Sequence, residues 1–395
     1  MKLSERSAWP TEPSGWAEAE ARARAAGPLL DLRGSNPTTL GLVHPPDVYE
    51  SLLSPELAHY QPRALGLASA REAVAGYYAR RGRVVDPARV WLCASTSEAY
   101  AQLLVLLTDP GDAVLVPRPG YPLLDMLGDV AGVRRVPYPL QFDGAWSIDL
   151  AGLDEALARE PRARVLVVVA PSNPTGAMLD AEQWAGLRQR AADRGLMLVV
   201  DEVFADYPLR SVDDRVRFVG DDTQPCVVLS GLSKVAALPQ LKLSWAVLHG
   251  PAAEIEPLRD RAELLADAML SVATPVQLAL PTLLDAAEQI QPWIRTRLLD
   301  NLEHLRAAVR GEPVDLLPVD GGWTALLRLP ALDELDDEGW ARRLLGVGVW
   351  VQPGFLFDLP RPPRVAVSLL TEPPVLREGI ERLLAEVRAG VDDPG

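Results

Sequence analysis

The sequence predicts an α/β protein, with a large domain built on a mostly parallel sheet sandwiched by helices and a smaller α+β domain beside it. Three observations carry this. Residues 165–170 (VLVVVA) and 196–200 (LMLVV) are continuous apolar runs, the pattern of strands covered on both faces. Between them, residues 181–194 read as a helix, and strand and helix patterns alternate in this way through the middle of the chain. Beyond residue 311 the character changes to short strands interleaved with helices. At 395 residues the chain is long enough for two such domains with a large core.

In chain order, residues 1–30 read as an arm with a short helix, and residues 31–42 (DLRGSNPTTLGL) as an extended, turn-rich segment. Residues 66–82 carry apolar positions at helical spacing and stop at Gly82. A strand at 90–94 leads through Ser95-Thr96-Ser97-Glu98 into a helix ending at 107, and 113–116 is the next strand. After the two buried runs come short strands at 227–229 and 244–248. Residues 254–310 read as largely helical, with interruptions near 273–275 and at Gln291-Pro292, so that a long helix from 293 to 310 bridges the two domains. Strands at 325–329, 347–352 and 364–369 and helices at 337–345 and 375–389 complete the chain. The expected division is a large domain of residues 45–290 and a small domain combining residues 1–44 with 291–395.

Composition removes several classes of function. The net charge is −15, whereas nucleic acids and anionic membranes select basic surfaces. No apolar stretch approaches the roughly 18 residues of a membrane span, and the N-terminus lacks the apolar core of a signal peptide. Cys93 and Cys226 are the only cysteines and the four histidines show no ligand spacing, so no metal site is expected. A reduced cytoplasm is the expected compartment.

Chemistry concentrates where the strands end, the place where open α/β sheets bind ligands. Lys234 lies between two apolar runs, and burial would lower its pKa and make its amine a nucleophile toward an aldehyde. Ser230, Gly231 and Ser233 would let a compact anion approach the backbone, and Lys242 follows eight residues on. A lysine imine beside a phosphate site is the signature of pyridoxal phosphate; a surface lysine in a serine-rich loop reads this stretch equally well. Asn173 stands in the turn Pro171-Ser172-Asn173-Pro174-Thr175-Gly176, where its amide can reach a phenolate or a carboxylate, or simply shape the turn. Asp201 ends an apolar strand and needs a partner there; a protonated pyridine nitrogen is one and solvent is another. Ser95, Thr96 and Ser97 open a helix, where N–H groups and the helix dipole favour phosphate and where serine and threonine are also ordinary caps. The ring of Tyr121 has the shape to stack on a planar cofactor or to fill a core.

Together these residues resemble the fold-type I pyridoxal-phosphate enzymes, and in particular the class I/II aminotransferases, over residues 31–382. The Asn-Pro-Thr-Gly turn, the acid after the next strand and the Ser-Lys pair occur in the family's order, with 28 residues from Asn173 to Asp201 and 33 from Asp201 to Lys234. The resemblance implies a seven-stranded-type sheet and pyridoxal 5'-phosphate as cofactor. Lys234 would be the Schiff-base lysine and proton shuttle, Asp201 the partner of the pyridine nitrogen, and Asn173 a contact of the cofactor's 3′-oxygen. Tyr121 would stack on the ring, with Ser95, Thr96, Ser97 and Ser233 around the phosphate. Tyr60 matches a tyrosine that family dimers lend to the neighbouring subunit, so a homodimer is implied.

Three departures bear on the reaction. Phe204 stands where the family has a tyrosine, which removes a hydrogen bond to the 3′-oxygen. Lys242 replaces the phosphate arginine, a point charge in place of a fork. Ala366 occupies the position of the arginine that grips the substrate carboxylate. Arg364, two residues earlier on the same strand face, is the expected substitute. Arg33, Asn36 and Arg328 are further candidates, and Trp323, Phe355 and Phe357 hint at an apolar side-chain pocket. The expected activity is transamination between an amino acid and a 2-oxo acid. The alternative is a pyridoxal-phosphate lyase, cyclase or oxidase acting on an amino acid in a specialised pathway.

Overall fold

The computed structural model describes residues 3–39, 41–210, 216, 218–220, 223–270, 272–332 and 335–392. Eight strands form one sheet in the spatial order Val90–Cys93, Ser244–His249, Cys226–Gly231, Met197–Asp201, Ala163–Val169, Ala113–Arg118, Arg134–Phe142 and Trp146–Ile148. The five from Cys226–Gly231 to Arg134–Phe142 run parallel, and Ser244–His249 and Trp146–Ile148 are antiparallel to their neighbours.

The continuous apolar runs have the expected cause. Val165, Val167, Val199, Val227 and Leu229 enter one buried cluster, while Leu166, Val168, Leu198, Val200 and Val228 enter another. Alternate side chains thus meet helices on opposite faces, so neither phase can be polar. The helix Ala181–Arg194 starts on an Asp180 cap and stops at Gly195 in the left-handed region.

The sheet has one strand more than expected. The hairpin Arg134–Phe142 with Trp146–Ile148 sits at its edge, where Pro137 and Pro139 are tolerated because fewer ladder hydrogen bonds are required. Those prolines and an alternating burial pattern are what hide the hairpin from a reading based on apolar runs.

The expected break at Gln291-Pro292 does not occur. One helix of 35 residues, Thr274–Ala308, passes through both Pro281 and Pro292. A proline removes one hydrogen bond, but Leu280, Leu284, Ala287, Ile294, Leu298, Leu302 and Leu305 keep one buried face continuous across both sites.

The C-terminal segment forms a second sheet, Asp315–Leu316, Thr324–Arg328, Arg364–Ser368 and Gln352–Pro353, with the helices Asp337–Gly346 and Pro373–Asp392. The N-terminal arm packs there too. Leu30–Asp31 pairs in parallel with Val349–Trp350, and Leu32 is fully buried among the apolar residues of this sheet.

Candidate active site

The lysine is placed by a close backbone approach. Gly231 ends its strand, and a Cβ there would lie 2.7 Å from Ser244 Cβ, so the chain can pass only without a side chain. A single helical turn, Leu232–Val235, follows and points Lys234 into a cavity of about 260 Å³ at the carboxyl ends of the strands. The Tyr207 hydroxyl donates to the Lys234 carbonyl at 2.6 Å and fixes that turn. The ε-amine lies 4.6 Å from the ring centre of Trp323 and 5.3 Å from that of Phe204. Burial lowers the Lys234 pKa to about 8, against the opposing pull of Asp201.

Asp201 lines the same cavity from the end of its own strand. It accepts from the Val203 N–H at 3.1 Å and from the Tyr100 hydroxyl at 3.3 Å. Burial raises its pKa to about 6, and those two donors and Lys234 only partly offset the effect. A half-buried, desolvated carboxylate whose own donors only partly offset that cost is a fitting partner for a cationic ring nitrogen.

Asn173 reaches the cavity from a turn tied by Gly176 N–H to Ser172 O and Ser172 N–H to Ala177 O, each 2.8 Å. Thr96 reaches it from the first turn of Thr96–Leu107. Ser95 caps that helix by accepting from Glu98 N–H at 3.1 Å, while the Glu98 carboxylate reaches back to Ala94 N–H at 2.5 Å. Tyr121, 53% exposed, forms the open wall.

Nine of the residues named from the sequence therefore share one cavity: Arg33, Thr96, Tyr121, Asn173, Asp201, Phe204, Lys234, Trp323 and Phe357. Others are not brought there. Ser97 and Ser233 are half-buried beside it and Ser95 is spent on its cap. Lys242 is exposed, on a left-handed residue, and is not among the residues that line the cavity. Tyr60, 76% exposed, lines a separate crevice with Arg63 and Leu270.

The carboxylate assignments need correcting. Arg364 does not line the cavity. It is buried at the far end of its strand, opposite Arg328, donating to the carbonyls of Pro360 and Pro362 and lying over Trp146. Two-residue periodicity gave the strand face correctly but not the distance along the strand. Asn36 is exposed, and its side-chain oxygen accepts from the Thr38 N–H and hydroxyl. Arg328 pairs with Asp315. Phe357 lines the cavity and Phe355 does not.

Arg33 does line it, stacked 3.1 Å from the Trp350 ring centre and held by Asp31 and Glu20. Among the described lining residues it is the only guanidinium; the arm and the C-terminal segment otherwise contribute Ser35, Trp323, Thr324, Gln352, Phe357 and Ser368.

Tyr100 and Tyr207 escaped the sequence reading. Tyr100 had a usable signal, since it stands four residues after Thr96 on the same helical face. Tyr207 had none, because its partner is a backbone atom. A simpler signal was also passed over: the chain has only three lysines, Lys2, Lys234 and Lys242. Among the described residues no group of His, Cys, Asp or Glu is arranged to hold a metal ion.

With this geometry in hand, similarity to known proteins is specific. The family described as "Aminotransferase class I and II" matches residues 30–383. The alanine aminotransferase of Mycobacterium tuberculosis is 28% identical over 380 residues, covering 92% of this chain and 86% of that protein. The Escherichia coli glutamate-pyruvate aminotransferase AlaA is 28% identical over 283 residues, 70% of this chain and 68% of that one. The structure of the Pyrococcus furiosus alanine aminotransferase superposes with a TM-score of 0.85 at 20% identity, covering 98% of this chain and all of that one, which is a likeness of fold.

Proposed function

The chain belongs to the class I and II aminotransferases and is by that membership a pyridoxal-phosphate-dependent aminotransferase, and on that premise we propose how its own residues carry the reaction. The observation that carries the reading is a lysine amine and a carboxylate, both with shifted proton affinity, facing one cavity that Asn173 and Tyr121 also line. When bound, pyridoxal 5'-phosphate supplies an electron sink that stabilises the carbanion left on proton removal.

Lys234 is the residue that would hold the cofactor covalently. Its amine would also take the substrate's α-proton and give it back, a role for which a pKa of about 8 keeps both forms populated near neutrality. Asp201 would hold a cationic ring nitrogen, and that positive partner would return the carboxylate to its charged form. Asn173 would donate its amide to the ring oxygen, with Phe204 contributing packing only. Tyr121 would cover one ring face. Thr96 and the N–H groups at its helix start would bind the phosphate, with Ser95, Ser97 and Ser233 beside them. Arg33 would face the acid end of the substrate, in place of Arg364.

We further propose a homodimer in which the exposed Tyr60 completes the partner's phosphate site, and a cytoplasmic location. No described helix is long and apolar enough to cross a membrane. The proposed division is a large domain of residues 45–290 and a small domain of 1–44 with 291–395, which the helix Thr274–Ala308 would join.

The test is to mix cofactor-loaded protein with a panel of amino acids and no oxo acid. Conversion to the pyridoxamine form, with release of the matching 2-oxo acid, is expected. An eliminated or cyclised product without pyridoxamine phosphate contradicts transamination. Arg33→Gln should raise the amino acid concentration needed roughly tenfold or more, the loss of a charge-assisted pair; an unchanged requirement removes Arg33 from the site.

A further inference from the structure

Lys234 presents its amine to ring faces. Trp323 meets Phe204 edge-on at 5.4 Å and 64°, and meets Tyr207 at 5.2 Å and 62°. The three rings form one wall around the lysine, and Trp323 has the nearer face, 4.6 Å from Nζ. It is 2% exposed.

The backbone holds this indole from three sides. Gly322 N–H donates to Tyr207 O at 2.9 Å and Leu209 N–H to Asp320 O at 2.8 Å. The N–H groups of Asp320 and Gly321 both reach Gly176 O, at 3.2 and 3.0 Å. Leu369 N–H donates to the carbonyl of Trp323 itself at 2.8 Å. There is little slack, since a Cβ on Gly321 would lie 2.9 Å from Pro171 Cγ. The indole N–H nevertheless has no hydrogen-bond partner among the described residues. Burying an unpaired donor is unfavourable, so satisfaction of that N–H does not explain the ring's position. The ring packs against Phe204 and Tyr207 and turns a face to the Lys234 amine, and a π-face attracts an ammonium more strongly away from water.

We propose that Trp323 is a positioning residue for the Lys234 proton shuttle: the face of its ring stabilises and orients the ε-ammonium while the lysine carries its proton. The inference rests on the reading of Lys234 as the shuttle, and it adds a residue from the turn that leads into the second sheet to the machinery of the first. The other charged or titratable groups facing this lysine are Asp201, with Tyr100 on its carboxylate, then Tyr207, and across the cavity Tyr121 and Arg33, the last held by Asp31 and Glu20. Asp201 also favours the ammonium. Burial opposes both it and the ring.

With three lysines in the chain, the Nζ signals of 15N-lysine-labelled, cofactor-free protein can be assigned by substitution and titrated individually. Trp323→Leu keeps the site apolar but removes the π-face, and should lower the Lys234 midpoint by about one pH unit, a tenfold loss of proton affinity. Trp323→Phe keeps a ring and should recover at least half of that. Phe204→Leu, which removes the more distant ring, should shift it less. In loaded enzyme, Trp323→Leu should lower kcat more than it raises KM. A Lys234 midpoint that stays or rises in Trp323→Leu, or a Trp323→Phe protein that titrates like Trp323→Leu, overturns the proposal. The shuttle reading fails separately: if Lys234→Ala loaded with cofactor still transaminates, the role of the lysine is wrong whatever Trp323 does to its titration.

Discussion

Asp201 and Glu202 are adjacent in sequence and serve opposite sides of the sheet, because successive strand residues point to opposite faces. Asp201 lines the cavity with Lys234. Glu202 is buried on the other side, accepting from the Tyr78 hydroxyl at 2.8 Å while Trp245 Nε1–H donates to that same hydroxyl at 3.2 Å. Burial raises the Glu202 pKa from 4.5 to about 8. The folded protein therefore holds a proton that the unfolded chain releases across this window. Stability contributed by the protonated form is complete below pH 4.5 and is lost as pH rises toward 8, at up to about 1.4 kcal/mol per pH unit. Glu202→Gln keeps the acceptor for Tyr78 and removes the titration. Its urea-melt stability should match the parent near pH 5 and exceed it at pH 8.5; parallel curves at the two pH values would show Glu202 to be ionised throughout. Legibility at this scale was uneven. An acid closing an apolar strand marks a group that needs a partner, and Asp201 was found that way. Nothing local marks Tyr78 as the partner of Glu202, 124 positions away.

At the scale of elements, the turn after Ala163–Val169 does two jobs. It presents Asn173, and its Gly176 carbonyl accepts from Asp320 and Gly321 and so anchors the segment that carries Trp323. Gly176 has φ +69°, and a Cβ there would stand 2.3 Å from Val319 Cγ2 and 2.8 Å from Gly321 O. Gly176→Ala combines a left-handed non-glycine residue with overpacking and should cost roughly 2–5 kcal/mol, read as a lower urea midpoint. A midpoint equal to the parent's would mean the two turns are not held as closely as the geometry requires. Strands buried on both faces were legible as unbroken apolar runs, and helices as periodic segments with caps. The two exceptions share a cause. Proline marked an expected break at Gln291-Pro292 and residues 134–148 carry no apolar run, yet at a sheet edge in Arg134–Phe142 and on the long amphipathic helix Thr274–Ala308 packing outweighs the lost hydrogen bond.

At the scale of the molecule, the site gathers residues from the N-terminal arm, the strand ends of the large sheet and the second sheet, so it depends on the fold as a whole. Order along the chain and the ends of strands pointed to Thr96, Tyr121, Asn173, Asp201 and Lys234, which the fold brings around one cavity. Reach along a strand was not legible, which is why Arg364 stands at the far end of its strand, opposite Arg328. Tyr60 and Tyr121 are exposed aromatics, and a C2 partner covering them would explain both. Sedimentation of loaded protein at micromolar concentration should give a dimer, and a monomer that still retains cofactor would contradict shared sites. The central claim is that Lys234 holds the cofactor. Borohydride reduction of loaded protein followed by peptide mass mapping tests it without ambiguity, since the only alternative side chains are Lys2 and Lys242. One stoichiometric pyridoxyl adduct is expected on the peptide containing Lys234, abolished by Lys234→Ala; an adduct on Lys242 or Lys2, or none at all, would remove Lys234 from this role.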